Sequence, residues 1–177
     1  GGAYVEENQA ALPGPEEMVK IIVAGGGIPC YPLLRDDSNG RYTELEAHPE
    51  LLVEKLREWK IGCVEMTPSR NDLRNLNEMV AFLREKGFVV VAGTGHYSPR
   101  LSALKVTARN GNSLPEGLQK IFWNGACVMA AQQYLRAHEY AGFSPAEGTI
   151  SPEQRKEMEK IGKAVTEYYF ALRNTDK

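Results

Sequence analysis

Histidine is scarce in this chain, with three residues among 177, at positions 48, 96 and 138. Cysteine is equally scarce, at 30, 63 and 127, each in an apolar context and never at CxxC spacing. An odd number so placed argues against a disulfide framework and a structural zinc site, and for buried reduced thiols in a cytoplasmic protein. No apolar run approaches the ~20 residues needed to cross a bilayer, so a membrane is not an expected partner. The opening "GGAYVEENQA" has no basic region and no apolar core, so it does not read as a secretion signal. The net charge is only −2, and no basic stripe breaks the mixture of signs. Nucleic acid is therefore not an expected partner either. Gly25-Gly26-Gly27 precedes a strand and lacks a following Lys-Ser/Thr, which rules out a phosphate loop and makes a helix stop the better reading. A nucleotide-binding domain has correspondingly little support.

What is present is a regular alternation. Hydrophobic residues make up 42% and charged residues 25% of a chain long enough for one core and too short for two ordinary ones. Residues 1–14 read as a loose arm and 15–177 as a single α/β domain. Pro15 opens a helix to about Ala24, followed by the strand "IPCYPLL" and the loop "RDDSNGRYTELEA", with Asn39-Gly40 as its turn. Pro49 opens "PELLVEKLREWK", where Leu51, Leu52, Leu56 and Trp59 can share a face. The strand "IGCVEMTP" leads to the helix "SRNDLRNLNEMVAFLREKG", stopped by Gly87, and then to the strand in "VVVAGTGHYSP". Strand, helix, strand, helix, strand predicts βαβ crossovers and a parallel sheet. Beyond it come a polar loop with a short strand near 104–106, and a long helix with Ser113 and Glu116 in capping-box register. A last helix, to about Leu172, starts at a second capping box, Ser151 to Gln154. Gly125, Ala126, Ala130 and Ala131 favour close approach of the long helix to another element.

In parallel α/β proteins, sites form at the carboxyl ends of strands. There the chain places Tyr31 at the end of the first strand and Arg35 just past it, Glu65, Arg70 and Asn71 around the second, and His96 and Tyr97 at the end of the third. Tyr31, Glu65 and His96 are expected to meet at one rim. A carboxylate between Val64 and Met66 needs a partner; a metal ion or a structural Glu65–Arg70 ion pair would supply it. His96 reads either as a site residue or as a hydrogen-bonded turn histidine. His48 sits at a helix start and His138 near a helix end, where a cation is favoured.

"AGGGIPCYP", "LREWKIGCVEMTPSRN" and "GFVVVAGTGH", in that order, resemble the second half of the PHP (polymerase and histidinol phosphatase) family across about residues 16–99. The resemblance implies part of a distorted (β/α) barrel that binds divalent zinc, manganese or iron and hydrolyses phosphoesters with metal-activated hydroxide. Under it, Tyr31 falls at the histidine of the family's His-Pro motif, Glu65 on its Gly-x-Glu strand and Gly95 at an acidic position. His96 is displaced by one residue, and Tyr97 takes its register. Glu65 and His96 are then the metal ligands and, with Arg70, the catalytic residues. Tyr31, Arg35, Asn71 and Tyr97 are the contacts for a small anionic substrate. The family's His-x-His motif does not occur in this chain, so the expected metal site is incomplete. The chain is read as the carboxyl-terminal part of a longer PHP-like protein or as a shortened relative. The alternative is a non-catalytic binding or assembly module that pairs with a second copy or with an amino-terminal domain.

Overall fold

The computed structural model describes residues 12–35, 42–94, 105–143 and 150–175. Helix α1 (Pro15–Ala24) precedes strand β1 (Cys30–Leu33), and helices α2 (Glu44–Ala47) and α3 (Pro49–Glu58) lead to β2 (Cys63–Met66). A 3-10 turn at Pro68–Arg70 and helix α4 (Leu73–Glu85) lead to β3 (Val89–Ala92). A second 3-10 turn at Arg109–Gly111 comes before the long helices α5 (Glu116–Ala137) and α6 (Pro152–Thr175). The three strands form one parallel sheet in the order β1-β2-β3, as the alternation predicts.

The strands alternate faces, because successive side chains of a strand point to opposite sides. Leu33, Val64, Met66 and Val90 join Leu52, Val53 and Leu56 of α3 and Leu76, Met79, Val80 and Leu83 of α4. Both crossover helices thus cover one face, as successive crossovers of one hand require. Cys63 and Val89 turn to the other face, where they meet Val128 and Ala131 of α5, Met158 of α6, Phe143 and Ile150. Gly125 lets α5 lie directly on β3, since a Cβ there would overlap the Val90 carbonyl oxygen. The close approach read from the small residues is therefore made within the chain. Gly162 does the same for α6, against the carbonyl of Cys127. Glu159 ties the outer helices together, accepting from Arg84 of α4 at 3.1 Å and from Asn124 of α5 at 3.2 Å.

Local signals fared unevenly. Gly87 stops α4 at a positive φ of 96°, and the Phe88 N–H returns to the Leu83 carbonyl. Ser151 and Gln154 form the reciprocal capping box, with both bonds at 3.1 Å. Ser113 does not cap α5: it pairs with Thr107 in an antiparallel bridge, and Pro115 occupies the N-cap without a side-chain bond. Lys105 and Val106 lie outside any strand. Leu51 points to solvent, because Val53 completes the buried face of α3 with Leu52 and Leu56. The Asn39-Gly40 turn lies outside the described residues.

Candidate functional site

The carboxyl end of the sheet is organised by an asparagine. Asn71 is fully buried, and its Nδ2 donates to the carbonyls of Leu34 at 3.2 Å and Thr67 at 3.0 Å. These two bonds fasten the exit of β1 to the exit of β2. Its own carbonyl accepts the Arg109 N–H at 2.9 Å, and the Arg109 guanidinium donates to the carbonyl of Arg70. Asn71 is thus a structural tie in the rim, with no surface of its own to offer a substrate. Three arginines adjoin this tie: Arg35 follows Leu34, Arg70 precedes Asn71, and Arg109 bonds to both Arg70 and Asn71.

Two carboxylates stand nearby, each engaged by backbone. Glu46 is 5% exposed and accepts from the N–H groups of Leu34 at 3.2 Å and Arg35 at 3.1 Å. Asp72 caps α4 by accepting from Asn75 N–H at 2.9 Å. The Asn75 side chain donates to the Tyr42 hydroxyl at 3.0 Å, and the Arg35 guanidinium lies 5.8 Å from the centre of the Tyr42 ring. The Nε of Arg35 is buried and has no hydrogen-bond partner among the described residues. A buried guanidinium N–H without an acceptor is costly, so this atom marks a place where an acceptor belongs.

The expected convergence is divided by the pleat of the sheet. Pro32 is the register partner of Glu65, whereas Tyr31 pairs with Val64. Tyr31 packs with the α3 and α4 cluster. Burial first, and then the charge of Glu46, push its phenol above the ordinary tyrosine value, which keeps it protonated. Glu65 projects from the opposite face, beside Gly93, where any Cβ would overlap its carboxylate. Tyr31 and Glu65 therefore cannot share one ligand sphere. His96 and Tyr97, with Gly95, lie outside the described residues. His48 and His138 are at helix ends, and the His138 Nδ1 is 2.7 Å from the Tyr134 carbonyl.

On the Glu65 face a cavity of about 740 Å³ opens between the end of β3 and α5, lined by Val91, Ala92, Leu114, Phe122, Trp123 and Lys105 among others. Val91 is the register partner of Glu65, so the acid stands next to a wall of this apolar cleft. Among the described residues, no group of three or more His, Cys, Asp or Glu side chains is placed to hold a metal ion. Of the two metal ligands read from the sequence, Glu65 stands on this cavity side, and His96 lies outside the described residues. None of the helices among the described residues is long and apolar enough to cross a membrane.

Sequence reasoning passed over Glu46, Tyr42, Asn75 and Arg109. A signal existed for the first: Thr43 and Glu46 stand three apart, and the Thr43 hydroxyl accepts the Glu46 N–H at 3.2 Å. No family model matches the chain, and neither does any curated protein or solved structure.

Proposed function

We propose that the carboxyl end of the sheet binds a small anionic ligand of the phosphoester class, as one module of a PHP-like hydrolase that is not a complete catalyst on its own. The observation that carries this reading is the buried Nε of Arg35, without a partner among the described residues, beside the tie that gathers Arg70 and Arg109. Guanidinium groups suit phosphate because their planar N–H pairs match its oxygens. The nearby Glu46 and Asp72 oppose an anion weakly, since both already accept backbone N–H groups. Glu65, on the cavity side, is the acid left for proton transfer or for a ligand role, with His96 as its proposed companion.

Calorimetric titration with inorganic phosphate tests the reading. Saturable binding should weaken about tenfold or more in Arg35→Ala, the loss of one charged hydrogen bond. Equal heats from both proteins, or none, would remove the anion site. Element analysis bears on the hydrolase part: bound transition metal that disappears in Glu65→Gln or His96→Ala would support it, and metal unaffected by either would count against it.

A second reading, an assembly module, is favoured by the exposed Tyr168, Tyr169 and Phe170 near the end of α6. Light scattering that gives a strictly monomeric mass at micromolar concentration would dismiss it.

A further inference from the structure

Cys30 and Cys63 begin neighbouring parallel strands and are direct register partners. Their Sγ atoms are 3.2 Å apart, within hydrogen-bond distance. Both side chains belong to the α5 and α6 face, at the opposite end of the strands from the arginine-lined rim. Cys63 is fully buried, whereas Cys30 is half-buried. From this juxtaposition we infer that Cys30 and Cys63 form a redox-active dithiol, which a peroxide converts to a disulfide stapling β1 to β2.

The chemistry follows from the unequal access. Cys30, as thiolate, attacks one peroxide oxygen; the O–O bond breaks, hydroxide leaves and Cys30 becomes a sulfenic acid. Cys63 then attacks the Cys30 sulfur; the S–O bond breaks, the S–S bond forms, and the departing hydroxide takes the Cys63 proton as water. Two thiols and one peroxide thus give one disulfide and two waters. Cys63 is the resolving thiol, because it lies too deep to meet peroxide first. Its hydrogen bond with Cys30 and its burial both hold it protonated until then.

The geometry permits the staple, because neighbouring strands are about 4.8 Å apart, within the Cα range of a disulfide.

The test treats the purified full chain with hydrogen peroxide, then unfolds and alkylates it. Of the three thiols, only Cys127 should remain alkylatable. The intact mass should fall by two hydrogens, and peptide mapping should link Cys30 to Cys63. Dithiothreitol should restore all three thiols, and Cys30→Ser should show no loss of two hydrogens. Three free thiols after peroxide would overturn the inference. So would a disulfide involving Cys127 or a second chain, or a Cys30 sulfinate beside a free Cys63.

Discussion

Replacing Asn71 by alanine should loosen the whole carboxyl end of the sheet. Two neutral hydrogen bonds vanish, each contributing about 1 kcal/mol net, and a carbonyl left buried without a donor adds about 1–3 kcal/mol. An opposing gain exists, because the buried Oδ1 of Asn71 has no partner among the described residues. Removing that oxygen returns about 1 kcal/mol. The balance is a net loss of about 2–4 kcal/mol, which for a chain of this size lowers Tm by about 4–16 °C. Asn71→Asp sharpens the test at nearly constant volume. A carboxylate oxygen would then face the carbonyls of Leu34 and Thr67, so the fall at neutral pH should exceed that of alanine, with partial recovery in acid as the side chain regains a proton. Thermal unfolding followed by circular dichroism reads both variants. If Tm stayed within a degree of the parent in both, Asn71 would not be the tie described, and the reasoning that joins the three arginines through it would fail.

Two glycines in α5 should respond to alanine with opposite signs. Gly117→Ala meets open space and should raise the urea midpoint, since alanine favours a helix by up to about 1 kcal/mol over glycine. Gly125→Ala carries the same helical gain but drives a Cβ into the Val90 carbonyl; overpacking of about 1–3 kcal/mol should win and lower the midpoint. Equal responses would mean that α5 does not lie on β3. For Tyr31, the folded phenol titrates above its unfolded value, so its contribution is complete below about pH 10 and is lost as pH rises through the folded value. Tyr31→Phe should flatten the alkaline decline in stability, measured by urea unfolding across that range. An unchanged decline would show that the phenol is not buried as described.

The sheet was legible because its signals are local and redundant. Apolar runs, proline at first helical turns and Gly87 all pointed the same way, and parallel order followed from the crossovers. The capping box at Ser151 was legible for the same reason. Ser113 carried an equally good spacing and failed, because its backbone is engaged by Thr107 across a turn that spacing cannot reveal. The rim was legible as a place and not as an arrangement. Tyr31 and Glu65 are both near strand ends, but which face each takes depends on the register of β1 against β2, and register is set by long-range packing. Glu46 and Asn71 owe their roles to hydrogen bonds with backbone groups far along the chain, such as the Asn71 bond to Leu34. Residue type alone does not announce such bonds.

The anion site is tested most directly by following the backbone amide resonances of the labelled protein during titration with inorganic phosphate. Saturable shifts should concentrate at Arg35, Tyr42, Arg70 to Asp72 and Arg109, and should weaken in Arg35→Ala. Shifts that gather on α6, spread evenly over surface lysines or fail to saturate would contradict the account.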